Sequence, residues 1–249
     1  MSHRQDIDLI FKEWPYQPGV ISARLVPAED GRDVMQMRIE LGLLQMETAG
    51  RPDGRRPGGA ETYLDYLKTQ VLEQGDSFEL TDQDCMEIDR EFLQFYHRRI
   101  CCLVLRNFRR AVEDADHTLA LMDFVARWST DQEWTLSHEQ YRPFVLFHRA
   151  QAAALAELKE SGPEAAMEEI TRSLEQIRQA YVKLDAEEQL AQDELVNQLV
   201  QLKESMRNEY SVGRTLAEQL ADAIAAEQYE LAARLRDEIA HRQRKHPHV

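Results

Sequence analysis

The chain is poor in positive charge and in cysteine, and it contains no long apolar run. Its 30 Lys and Arg stand against 45 Asp and Glu, a formal net charge of −15. Phosphate contacts drive nonspecific nucleic-acid affinity, so so acidic a chain is a poor whole-molecule polyanion binder and direct contact needs a local basic patch. The three cysteines, Cys85, Cys101 and Cys102, contain no Cys-x-x-Cys pair. That argues against a thiolate zinc site and for buried free thiols in a reducing compartment. The segment Met-Ser-His-Arg-Gln-Asp6 has no apolar h-region, and no uncharged run is long enough to span a bilayer, so a cytoplasmic location without membrane contact is expected. Neither Gly-x-x-x-x-Gly-Lys nor Gly-x-Gly-x-x-Gly occurs, which argues against a nucleotide-driven motor.

What is present divides by texture. Val34 to Leu41 alternates, with Met35, Met37, Ile39 and Leu41 on one face, as in a half-buried strand. Ile21, Ala23 and Leu25 alternate likewise before the turn-rich Pro27-Ala-Glu-Asp-Gly-Arg32, which predicts a β-hairpin. After Gly42 the apolar parity slips to Leu44 and Met46, the mark of a bulge or a third strand. Gly50 to Gly59 reads as an irregular loop. So small a sheet must lean on a helix, and Tyr63, Leu64, Leu67, Val71 and Leu72 supply one. Trp14 and Tyr16, beside Pro15 and Pro18, are expected to anchor the N-terminal arm on the sheet. Residues 1–75 thus form a small α+β unit.

From Thr81, an N-cap candidate with acidic residues in the first turn, the pattern is helical. Phe92, Phe95, Ile100, Leu103, Val104 and Leu105 belong to one helix. Phe108, Ala111, Val112, Ala115, Leu119 and Leu121 belong to its return across Arg106-Asn107. A second hairpin runs from about Pro143 to Lys159, turns at Ser161-Gly-Pro163, and returns from Glu164 to about Leu184. Asn107-Phe-Arg-Arg-Ala111, with Ala154 and Ala166, resembles tetratricopeptide repeats. Arg99 departs from that pattern, which has a small residue there, and Trp128 to Tyr141 would be an insertion. Residues 76–184 are expected to be this helical domain.

Asp185-Ala-Glu-Glu188 reads as a capping box that opens a connecting helix, residues 185–212, with Leu195, Leu199, Leu202 and Met206 as its stripe. That helix is either a stalk or an element packed along the second hairpin. In the terminal region, 213–249, Leu216, Leu220, Ala223 and Ile224 recur at helical spacing. After a break at Glu227-Gln228 the stripe resumes with Ala232, Leu235 and Ile239. At about 100° per residue these three share a narrow arc, with Arg236 at its edge and Ala233, Asp237 and Ala240 on the adjoining face. Arg236 and Asp237 are consecutive, so each should seek a partner elsewhere. A helical hairpin below roughly 40 residues buries little apolar area, so docking or self-association is expected.

The run Tyr229-Glu-Leu-Ala-Ala-Arg-Leu-Arg-Asp-Glu-Ile239 resembles the UVR motif, the short helical hairpin with which bacteria dock excision-repair subunits on each other. The resemblance implies a docking role without a reaction. The helicase domains of UvrB, the nuclease domains of UvrC and the paired zinc-binding cysteines of McsA have no counterpart here. It implies a protein partner, either a UVR-bearing repair subunit or a Clp-type stress protease system. Tyr229, Ala233, Arg236 and Asp237 would carry the contact, while Ala232, Leu235 and Ile239 hold the hairpin. A homodimer through the connecting helix and the hairpin is the other assembly to consider.

Other candidates are local. Arg51, Arg55 and Arg56 lie among glycines, a setting in which guanidinium forks grip anions, so an N-terminal nucleic-acid-binding or enzymatic domain is the alternative reading. Their bland role is to pair with the chain's own carboxylates, with Asp53 supporting the turn. Asp114-Ala-Asp116-His117 is expected to be a solvated helix face and not a metal cluster. His241, His246 and His248 belong with Arg242, Arg244 and Lys245 to a basic tail. The expected fold is mainly α, with the α+β unit, tetratricopeptide-like hairpins, a connecting helix and the terminal hairpin; no catalytic residue, metal or cofactor is expected.

Overall fold

A computed structural model describes residues 6–245, with side chains described as far as His241. The architecture is mainly α, with ten α-helices among the described residues and one small antiparallel sheet near the N-terminus. In order they are α1 (Asp8–Glu13), β1 (Ser22–Pro27), β2 (Asp33–Ile39), β3 (Gly42–Glu47), α2 (Tyr63–Gln74), α3 (Asp82–Val104), α4 (Phe108–Trp128), α5 (Gln132–Glu139), α6 (Arg142–Glu160), α7 (Pro163–Lys183), α8 (Glu194–Tyr210), α9 (Leu216–Ala225) and α10 (Tyr229–Lys245). Packing divides the chain between Ala152 and Ala153, inside α6. In the first unit α2 and the sheet both lie against α3, so no gap in packing follows residue 75.

The sheet has the order β1-β2-β3, with Leu25 opposite Met35 and Met35 opposite Met46. The parity slip after Gly42 is a two-residue turn: Ile39 pairs with Gly42, leaving Glu40 and Leu41 as the loop. Leu41 therefore does not continue the buried face of β2 and is 88% exposed. Met35 and Met46 bury against Cys101, Cys102, Ala111 and Ala152, the packing expected of that face. Burial pushes the Cys101 and Cys102 thiols up to about 12, so they behave as small apolar groups.

The opposite face of β2 is covered as well, contrary to the half-buried expectation. Gln36 and Arg38 are buried there, Gln36 between its sheet neighbours Arg24 and Gln45 and Arg38 beneath the N-terminal arm. Arg38 donates from Nε to the Trp14 carbonyl at 2.9 Å and from Nη1 to the Gly42 carbonyl at 2.7 Å, and its guanidinium lies 4.3 Å over the Phe11 ring. Trp14 donates from its indole to Ser22 Oγ at 2.6 Å and stacks under Arg24. The arm is held by cation–π contacts and hydrogen bonds to the sheet's polar face.

Helix α3 starts at the expected cap. Thr81 Oγ1 accepts from the Asp84 amide at 3.2 Å, and Asp84 Oδ2 accepts from the Thr81 amide at 2.8 Å. The interior face of α3 carries charges. Arg98 and Asp114 of α4 are both fully buried and joined by Nε and Nη2 contacts of 2.8–3.2 Å. Arg98 Nη1 donates to the carbonyls of Glu47, at 3.1 Å, and Gly50, at 2.8 Å, which clamps the end of β3. Glu91, also fully buried, accepts from the Tyr63 and Leu64 amides at 2.7 and 3.1 Å and contacts His117 Nε2 at 2.9 Å. A carboxylate of α3 thereby satisfies the first amides of α2. Asp114 and His117 belong to this interior, not to a solvated face, because α4 turns both toward α3.

In the second unit, α7 ends at Lys183 with Leu184 as its C-cap, and Asp185 adopts a left-handed φ of 52°. Asp185 is thus not the cap expected of it. Asp193 caps α8 instead, its Oδ1 accepting from the amides of Leu195 at 2.6 Å and Val196 at 3.1 Å. The residues between form a short 3₁₀ turn, Glu187–Gln192. Helix α8 folds back on α7 and buries Leu199 and Met206, so it is a packed element and not a free stalk.

Removing one partner of a buried ion pair strands the other charge and costs about 3–5 kcal/mol. Urea unfolding should show Arg98→Met and Asp114→Asn each destabilised to that extent. Arg98→Met with Asp114→Leu should cost less than the sum of the two single changes.

Candidate functional site

The terminal hairpin is built from two caps and a small apolar seam. Thr215 Oγ1 accepts from the Glu218 amide at 3.3 Å, and Glu218 Oε2 accepts from the Thr215 amide at 2.9 Å, a capping box that starts α9. Ala226 to Gln228 form the turn: Glu227 has a left-handed φ of 56°, and the Gln228 amide donates to the Ala223 carbonyl at 2.8 Å. Ala223 of α9 packs on Ala232 and Leu235 of α10, with Leu216 and Leu220 alongside. The alanines let the helices approach closely.

Ala232 and Leu235 therefore face inward and hold the hairpin; they are not themselves a contact surface. Ile239 is half-buried, and so is Ala233. Tyr229 is exposed, and the side chains of Arg236 and Asp237 are 72% and 76% exposed. Those two were expected to look past each other, yet they form a loose 3.5 Å ion pair. So exposed a pair contributes little.

Two apolar residues lie outside the seam: Ile224, expected in the stripe with Leu216, Leu220 and Ala223, and Leu231, which the sequence reading leaves unassigned. Ile224 follows Ala223 and so turns off the seam, and Leu231 precedes Ala232 and does the same; both side chains are solvent-exposed. The missed signal is that each directly adjoins a seam alanine. Beside the turn, Glu227, Gln228, Tyr229, Glu230, Leu231 and Arg234 line an open depression of about 500 Å³.

Glu218 ties the hairpin to α8. It meets Lys203 Nζ at 2.6 Å and Arg207 Nη2 at 2.5 Å, and Arg207 Nη1 donates to the Gly213 carbonyl at 2.8 Å. Burial would raise the Glu218 carboxyl, but hydrogen bonds from Lys203, the Thr215 amide and Arg207 outweigh it and hold the group at about 2.

The arginine loop separates into two kinds of residue. Arg51 is only 2% exposed in its side chain, with Nη2 on Glu87 at 2.6 Å and Nε within 3.4 Å of both Asp53 and Glu91. It is an interior plug saturated by carboxylates, so it cannot grip an external anion as the alternative reading requires. Arg55 and Arg56 are exposed and reach Asp53 at 3.9 Å and Glu61 at 3.3 Å. Arg51 and the Arg55–Arg56 pair do not form one anion fork. Among the described residues there is no His, Cys, Asp and Glu group that holds metal geometry, and no helix is long and apolar enough to cross a membrane. His241 is exposed; His246 and His248 lie outside the described residues.

Comparison with known proteins identifies a UvrB/uvrC motif at residues 214–244, the segment that forms α9, the turn and α10. No curated protein and no solved structure matches the chain. The tetratricopeptide resemblance of α3 to α7 is not supported by these comparisons.

A carboxyl whose folded pKa is depressed stabilises above its unfolded pKa and loses that contribution as pH falls through the folded one. For Glu218 the window runs from 4.5 down to about 2. Thermal melting of the full chain should therefore show Glu218→Gln destabilised at pH ~5, with the gap to wild type closing as pH drops toward ~2. A gap that stays constant over this range would contradict the clamp.

Proposed function

We propose that this chain is a noncatalytic bacterial adaptor that docks a protein partner through its UVR hairpin. The observation that carries the reading is the match over residues 214–244 on a hairpin that leaves Ile224, Tyr229 and Leu231 exposed. Exposed aromatic and aliphatic side chains beside a concave surface are the usual anchors of a protein interface, since burying them releases the most hydrophobic free energy. Arg236 and Asp237, consecutive and exposed on α10, add directional charge at the rim. The partner class is a UVR-bearing repair subunit or a Clp-type protease system, met in the cytoplasm.

The first unit serves as the scaffold in this reading. Its loop arginines spend themselves on the chain's own carboxylates, and the net charge of −15 opposes phosphate binding, so direct nucleic-acid contact has little support.

Affinity capture from the native cytoplasm, with captured proteins identified by mass, tests the assignment. The full chain should retain a UVR-bearing or Clp-system protein that a chain ending at Gly213 does not. Replacing Arg236 and Asp237 together by alanine should abolish capture while helicity is unchanged, and Tyr229→Ala should weaken it by about 1–2 kcal/mol, roughly 5- to 30-fold in Kd. Undiminished capture by the double variant would overturn the assignment.

A further inference from the structure

The sheet has one open edge. The Ala28 amide donates to the Arg32 carbonyl at 2.7 Å, which makes Ala28 and Arg32 a bonded pair at the turn end of the ladder between β1 and β2. Main-chain groups alternate along an antiparallel strand, so Val26, Arg24 and Ser22 bond to β2 while Pro27, Leu25 and Ala23 turn theirs outward. Pro27, which has no N–H to donate, sits where the ladder needs none. Among the described residues no loop or side chain accepts from the Ala23 or Leu25 amide. At the far edge, by contrast, the Glu47 amide donates to the Pro52 carbonyl at 2.8 Å, and the Glu47 carbonyl accepts from Arg98.

The open edge is also apolar and nearly uncharged. Ile21 is 43% exposed and Leu25 48%. In a chain 30% charged, Arg24 is the only charge within residues 17–28, and it is engaged by Gln36 Oε1 at 2.9 Å and by the Trp14 ring. Edge strands are ordinarily guarded by a lysine, a bulge or a covering element, whereas β1 carries no lysine and pairs with β2 in unbroken register. Two copies of net charge −15 repel over most of their surfaces, so a contact between copies is favoured where carboxylates are absent, as along this edge.

We infer that β1 pairs antiparallel with β1 of a second copy of this chain, about a two-fold axis at Ala23, joining the two sheets into one. The position of the axis follows from what each register brings together. Centred on Arg24, two guanidinium groups would stand directly opposite on one face, a destabilising like-charge pair. Centred on Leu25, Ala23 would stand opposite the partner's Pro27, which has no N–H to give. Centred on Ala23, the smallest side chain of the strand lies on the axis, Ile21 meets the partner's Leu25, and Arg24 meets the partner's Ser22. The outward main-chain groups of Ala23 and Leu25 are then answered, and the exposed Ile21 and Leu25 side chains cover each other. No residue of the terminal hairpin takes part.

Sedimentation velocity of the full chain across a range of concentrations tests it, with amide hydrogen exchange as the second readout. A concentration-dependent dimer is expected, and the Ala23 and Leu25 amides should exchange more slowly as it fills. Leu25→Lys, which places a charge on the edge, should raise the dimer Kd at least about tenfold. Ile21→Lys, exposed and just before β1, should act in the same direction, and it answers the question if Leu25→Lys fails to fold. Tyr229→Ala on the terminal hairpin should leave the dimer unchanged. A monomer at every concentration, a dimer that neither lysine variant weakens, a dimer lost with Tyr229→Ala, or Ala23 and Leu25 amides that exchange equally fast in monomer and dimer would each overturn the inference.

Discussion

A charge sealed from water must find all its partners inside the protein, and that requirement fixes the geometry of the first unit. Arg98 meets it by binding Asp114 on α4 and the carbonyls of Glu47 and Gly50 at the end of β3. Glu91, two turns away on the same face of α3, meets it with the first amides of α2, His117 and Arg51. The two clusters flank Phe95, which stacks on His117 and lies under Arg98. Burying such groups yields little net stability compared with an apolar core of equal volume. What they impose is position: the sheet, the glycine loop and α2 can each dock on α3 in one way only, since any other leaves a charge unpaired.

That interior was the least legible part of the sequence. Apolar periodicity located the strands and the long helices, and residue type located the Thr81 cap, because each depends on residues close in the chain. Arg51 resembled a free anion grip because its partners Glu87 and Glu91 lie a helix away in sequence. Asp114 and His117 looked solvated because polar residues on an amphipathic helix usually are. Arg99, conspicuous as a large residue where a repeat helix wants a small one, marked the same polar interior without revealing it. The connecting helix was misplaced at its start for a simpler reason: Asp185 and Asp193 are equally good caps by type, and only the left-handed backbone at 185 separates them.

The terminal hairpin follows the opposite principle. Its seam is alanine and leucine, its caps are local, and Glu218 ties it to α8 through Lys203 and Arg207. The matching segment was readable directly from the run Tyr229 to Ile239, and so was the inward set Ala232 and Leu235. The exposed neighbours Ile224 and Leu231 were not, because helical stripes assign faces only to within one residue. A polar lock in one part of the chain and a lightly held apolar tip in another make physical sense for a scaffold that presents a docking element.

Native-state hydrogen exchange of the full chain tests the lock most directly. If Glu91 and Arg98 fix the docking of α2 and the glycine loop, the Tyr63 and Leu64 amides exchange only with global unfolding of the first unit, at rates that rise steeply with denaturant. Exchange of those two amides through local fraying, with rates insensitive to denaturant, would contradict the account.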